Sequence, residues 1–80
     1  MRELVRDKGR LEDIVEFSSN VLKIIDGIEF EEFSSNILVY FATMKNVEIV
    51  GEAAYMLTKE FKASHPEIPW KQVEGMRHVL

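Results

Sequence analysis

From Ile37 to about Lys62 the apolar residues recur at helical spacing on two nearly opposite sides, and this double stripe limits the possible folds more than any other feature. Tyr40, Val47, Val50, Gly51, Ala54, Leu57 and Phe61 share one face, which is expected to pack against a preceding helix. Leu38, Ala42, Ile49, Ala53 and Met56 form the second stripe. A helical hairpin with one short extra helix does not readily cover both faces, and an apolar face left open marks a contact surface. Leu38, Ile49, Ala53 and Met56 are therefore expected at the interface of a homodimer. The alternative is that the final helix of the same chain covers them.

The preceding helix is read from about Asp7 to Asp26. There Leu11, Ile14, Val15, Val21, Leu22 and Ile25 fall within a stripe of about 120°, and Glu12, Asp13, Glu16, Asn20 and Lys23 take the other side. Gly27 suits the stop. Ile28 to Asn36 is expected to form a short helical turn that pins Phe30 and Phe33 under the connection, with Asn36 capping the long helix that follows. The segment Glu16 to Asn20 recurs as Glu32 to Asn36, but at a spacing shorter than any known stacking repeat, so it carries no structural meaning. Beyond a polar loop from Ala63 to Ile68, Pro69 opens a third helix, because its missing N–H has no partner in a first turn anyway. Trp70, Val73, Met76 and Leu80 form its stripe, and a helix still apolar at its last position reads as part of a longer one.

Eighty residues make one domain, which buries only about 60% of the surface of the unfolded chain, so a lone core is marginal. With no cysteine, disulfides cannot supply the difference, and the composition fits a reducing compartment. Oligomerisation is the remaining source. No apolar run is long enough to span a bilayer, and the start, Met1 to Asp7, lacks the apolar stretch of a signal peptide. The expected location is the cytoplasm, with no membrane partner. A net charge of −4 argues against non-specific nucleic-acid binding, although a local basic pocket can still act on RNA.

Glu48 and Glu52 stand four apart on the second long helix, where like charges repel unless a cation is near. Lys45 and Lys59 could relieve them on a solvated stripe. Glycoside hydrolysis or metal binding by this pair lacks a third ligand and a cleft, and neither a phosphate-cradling glycine loop nor a metal-ligand cluster appears, so no cofactor or metal is implied. Arg77 lies beside Trp70 and Val73 rather than on the solvent side of the last helix. A partly desolvated guanidinium calls for an anion, either Glu48 or Glu52 or the phosphate of a substrate, unless it merely covers apolar surface. His78 alone reads as a surface residue, His65 as part of a turn, and Trp70 as a core anchor. Gly51 in mid-helix costs about 1 kcal/mol relative to alanine and should mark a close helix contact. Arg2, Arg6, Lys8 and Arg10, interleaved with Glu3, Asp7 and Glu12, read as a solvated helix start.

Four stretches together resemble the HepT-like ribonuclease toxins of the HEPN superfamily. They are Arg6 to Ile14, Ile25 to Phe33, Lys45 to Ala53 (Lys-Asn-Val-Glu-Ile-Val-Gly-Glu-Ala), and His65 to Trp70 continuing into Gly75-Met76-Arg77-His78. The resemblance spans essentially the whole chain. It implies an all-α, HEPN-like bundle of the four-helix type, an antiparallel hairpin plus shorter helices, that dimerises. The last helix would supply an Arg, a polar residue after it, and a His four to six residues further on, lining a cleft at the dimer interface that cleaves RNA without a metal. Arg77 matches that Arg and His78 the adjacent polar position, while Glu48, Glu52 and Asn46 match the signature near the cleft. In that chemistry Arg would hold the scissile phosphate and His would act as general base or acid.

The expected His, and the Tyr that often stands two places after it, would fall beyond Leu80. The domain is thus expected to be cut within its last helix, or to be a degenerate copy, and these 80 residues alone are expected to show little or no ribonuclease activity. Family members act in toxin–antitoxin pairs beside a small nucleotidyltransferase, so the resemblance implies that antitoxin and an RNA substrate as partners. A rival reading from a different class is a non-catalytic dimeric helical adaptor that binds a nucleotidyltransferase or another protein through its apolar faces.

Overall fold

The computed structural model describes residues 2–78, and these form an all-helical hairpin closed at one end by short helices. Helix α1 runs Arg2–Ile25, α2 Phe30–Ser35, α3 Ile37–Tyr55, α4 Lys59–Ala63 and α5 Trp70–Gly75, followed by a 3-10 turn over Met76–His78. The shape is long and narrow, 44 × 20 × 20 Å. Among the described residues no helix is long and apolar enough to cross a membrane.

Helix α1 begins five residues before the expected Asp7 and ends where Gly27 was expected to stop it. Gly27 has a φ of +72°, in the left-handed region that a side chain disfavours. The short helix α2 follows, and Asn36 leaves helical geometry so that its side-chain oxygen accepts from the N–H groups of Leu38 and Val39. This is the expected cap. Only one of the two rings of α2 is pinned, however. Phe33 packs on Tyr40 with ring centroids 5.8 Å apart, whereas Phe30 is 80% exposed.

Helices α1 and α3 pack along the hairpin, and the core sits toward the C-terminal half of α3 in Val50, Ala53, Ala54 and Leu57. Four of the expected hairpin-face residues, Val50, Gly51, Ala54 and Leu57, are buried. Ala53 is buried too, at 3% exposed, although it was expected on the stripe offered to a second copy. The reason is that this side faces α1 within the same chain, whose Arg10 and Asp13 meet Ala53 around one cavity.

The second long helix does not continue to Lys62. It ends at Tyr55, and α4 starts separately after Thr58. Thr58 has extended geometry, and its hydroxyl accepts from Phe61 N–H as the cap of α4. What fixes the break is Asp7, 5% exposed, whose carboxylate accepts from both the backbone N–H of Thr58 (2.9 Å) and its hydroxyl (2.7 Å). An ionised acceptor taking two hydrogen bonds at a helix start offsets the cost of burying its charge. Phe61 consequently belongs to α4, where its ring meets His65 at 4.7 Å and Trp70 at 6.2 Å.

The 64–69 loop is tied to α5 by Trp70, whose indole N–H is shared between the carbonyls of Lys62 (3.1 Å) and His65 (3.0 Å). His65 has the expected turn role. Its ring nitrogen approaches the exposed carboxyl of Glu67 at 3.3 Å, and that carboxyl is held below the usual carboxylate range by its own backbone N–H first and by His65 second. The last helix is shorter than its apolar pattern suggested, since α5 gives way to the 3-10 turn at Met76; the expected Leu80 contact lies outside the described residues.

The Asp7–Thr58 contact joins residues 51 apart in sequence. Asp7→Ala leaves an unpaired N–H and hydroxyl and is expected to cost about 2–3 kcal/mol in urea unfolding. Thr58→Val is expected to cost about 1–2 kcal/mol. The double variant should lose less than the sum, because both changes remove one shared interaction. Additive losses would show that the two residues are not coupled.

Candidate nucleic-acid interface

The terminal turn carries Arg77, and its approach to α3 is set by Gly51. A Cβ built on Gly51 would collide with the backbone nitrogen of Arg77 and lie 2.8 Å from the carbonyl carbon of Met76. The close contact expected at Gly51 is therefore real, but its partner is the terminal turn and not α1. Because backbone meets backbone there, Arg77 is held against the C-terminal part of α3.

Between the turn, α1 and α3 lies a cavity of about 360 Å³ lined by Arg10, Asp13, Lys45, Glu48, Ile49, Glu52, Ala53 and Arg77. Three cations and three carboxylates thus meet around a small apolar floor of Ile49 and Ala53. Glu48 is paired with Lys45 at 2.9 Å, one turn back on the same helix. The repulsion between Glu48 and Glu52 is relieved by this pair; Lys59, the other expected relief, is exposed at the start of α4. Arg77 is half-buried. Its Nη1 donates to the carbonyl of Glu74 at 2.8 Å, and its guanidinium carbon lies over the ring of Tyr55, 4.0 Å from the centroid.

Arg77, Glu48 and Glu52 are thus brought to one cavity, as expected. His78 follows Arg77 on the turn but is exposed and does not line that cavity. Asn46 lies elsewhere as well. Its side-chain oxygen accepts from Asn20 of α1 at 3.3 Å and its nitrogen donates to the carbonyl of Ala42 at 2.7 Å, so it cross-links the hairpin. Of the residues expected at a dimer seam, Leu38 is 79% and Met56 37% exposed, whereas Ile49 lines the cavity and Ala53 is buried.

Sequence reasoning passed over Arg10 and Asp13, which it placed on a solvated helix start and polar face. One signal could have found them: Arg10 and Asp13 stand three apart on α1, a spacing that puts both on one side, opposite the Lys45–Glu48–Glu52 stripe of a helix expected to pack against it. A larger groove of about 560 Å³, lined in part by Leu11, Val15 and Phe61, is mainly apolar, and its buried carboxylate, Asp7, is already engaged by Thr58. Convergent charge is found in the smaller cavity.

Chemically, a half-buried guanidinium with two further cations around it suits an anion with several oxygens, above all a phosphodiester. The carboxylates beside it would repel a second, misplaced phosphate. These features define a class: a small helical bundle whose terminal arginine overhangs a cleft of mixed charge. The family described as Ribonuclease HepT-like matches residues 9–80, and the chain belongs to it.

Among curated relatives, a Methanocaldococcus jannaschii protein named "Putative RNase" is 33% identical over 91% of this chain and 67% of its own length. A Caldanaerobacter subterraneus subsp. tengcongensis protein of the same designation is 37% identical over 88% of this chain and 62% of its own length. A Thermococcus cleftensis protein named "Probable ribonuclease HepT" is 38% identical over 91% of this chain and 66% of its own length. The chain spans 62 to 67% of the length of these relatives. No solved structure matches it.

Gly51→Ala tests the seam that places Arg77. Helix propensity alone predicts that alanine stabilises by about 1 kcal/mol, whereas the backbone collision predicts a loss of about 2 kcal/mol. Urea unfolding distinguishes the two by sign, and a gain in stability would mean that the turn is not seated on Gly51.

Proposed function

We propose that this chain supplies the phosphate-holding arginine of the RNA-cleaving subunit of a prokaryotic toxin–antitoxin pair, a subunit that acts in the cytoplasm as a homodimer and without a metal. Arg77 holds the scissile phosphate and offsets the charge that develops on it, and Arg10 and Lys45 guide the neighbouring backbone. Glu48 and Glu52 keep the cleft from binding polyanions indiscriminately. The observation that carries this reading is Arg77, half-buried and fixed at a cavity it shares with two other cations. Membership of the HepT-like family and the ribonuclease names of the relatives support it.

In the family pattern the proton-transferring His comes four to six residues after the Arg, at positions numbered beyond Leu80. His78 fills the polar position next to the Arg and borders the cleft in the assembled enzyme. The second subunit docks on apolar surface that this chain leaves open. Leu38 and Met56 remain accessible to it, with Ile37 (65% exposed) and Phe41 (50% exposed) extending the surface at the α2–α3 corner. The partner that restrains the enzyme is a small nucleotidyltransferase.

The test is fluorescence anisotropy of short, single-stranded RNA with the purified chain in EDTA. Binding should weaken with salt, and Arg77→Met should lower affinity about tenfold and reduce the slope of log affinity against log salt by about one. Absence of RNA binding by the wild-type chain at low salt, or equal binding by Arg77→Met, would contradict the proposal.

A further inference from the structure

A guanidinium that is to receive a phosphate must be held still without its donors being used up. Two contacts hold Arg77. Among the described residues, one N–H of five goes to the carbonyl of Glu74, while the flat cation lies over the Tyr55 ring, a contact that consumes no donor. Tyr55 is the last residue of α3 and stands seven after Glu48 and three after Glu52, so it continues the stripe that lines the cavity. It is also 49% exposed, so its ring is accessible to a side chain arriving from the turn.

Both supports meet at one lysine. Lys62 of α4 forms an ion pair with Glu74 at 2.9 Å, with the two side chains only 15% and 20% exposed. The same ammonium lies 3.4 Å from the carbonyls of Ala54 and Tyr55 at the end of α3. Lys62 therefore ties the residue whose carbonyl accepts the Arg77 hydrogen bond to the residue whose ring lies under it.

We infer that Tyr55 is a positioning residue, whose aromatic face orients the Arg77 guanidinium so that its remaining N–H donors are free to grip an RNA phosphate. The inference rests on the RNA-binding reading given above. It assigns the work to the ring and not to the hydroxyl, so phenylalanine should serve and an aliphatic side chain should not.

Two measurements test it. In the chain without RNA, the δ-protons of Arg77 should show an upfield ring-current shift in NMR spectra that survives Tyr55→Phe and disappears in Tyr55→Leu. In anisotropy titrations with fluorescein-labelled, random-sequence single-stranded RNA, Tyr55→Leu should weaken binding about fivefold, with Tyr55→Phe within about twofold of wild type. Combined with Arg77→Met, Tyr55→Leu should add nothing further, an outcome that a general loss of structure would not give. Should Tyr55→Leu fail to fold, Tyr55→Gln takes its place in the same cycle. Additive losses, or a Phe variant as weak as the Leu variant, overturn the inference alone. A wild-type chain that shows the ring-current shift yet binds no RNA overturns the phosphate reading and this inference with it.

Discussion

The contact on which the rest of this structure depends is the meeting of two backbones at Gly51. Where α3 lacks a side chain, the terminal turn comes close enough for the Arg77 nitrogen and the Met76 carbonyl carbon to occupy the space of a Cβ. Ala53 and Ala54, close by in sequence, are also small and both are buried. Close approach of this kind has a cost. Small residues bury little area, and no large side chain among the described residues is fully buried. Stability must come in part from bonds between distant segments, and the polar ties are placed accordingly: Asp7 to Thr58, Trp70 to two carbonyls, and Lys62 to Glu74. Each of these fixes a short helix that could not persist alone.

The same seam organises the charge. A chain of net charge −4 is not drawn to polyanions as a whole, so any phosphate recognition has to be local. Because the turn is pressed onto α3, Arg77 joins Arg10 of α1 and Lys45 of α3 around one cavity, and three carboxylates hold the local balance near zero. A cleft of that kind rewards a correctly seated phosphate and gives little to loose binding. The break at Thr58 contributes indirectly, since it frees Lys62 to reach both the end of α3 and Glu74, on either side of the Arg77 guanidinium.

Periodicity made α1, α2 and the start of α3 legible, down to the Asn36 cap and the Gly27 stop, because those features depend on neighbours in sequence. Gly51 was legible as a close contact, although not its partner, since helical spacing says which face a residue occupies and not which segment arrives there. The end of α3 could not be read at all. Its apolar pattern runs on through Leu57 and Phe61, and only a carboxylate 51 residues away completes the interruption at Thr58. Arg77 was legible as a desolvated cation from its neighbours on the last helix, and Glu48 and Glu52 as a pair needing one. Arg10 and Asp13 were overlooked although their spacing places both opposite the Lys45–Glu48–Glu52 stripe, and Tyr55 was not legible because its contact depends on where the turn arrives. Ala53 was misplaced because α1 reaches the second stripe of α3 around Ile49 and Ala53, while Leu38 and Met56 stay exposed.

The seating of the terminal turn can be observed directly. Nuclear Overhauser spectra of the isotopically labelled chain are predicted to contain a direct cross-peak between the α-protons of Gly51 and the amide proton of Arg77, two groups far apart in sequence. If that cross-peak is missing while those along the α1–α3 hairpin are present, the turn does not lie on α3, and the cleft built around Arg77 does not form as described.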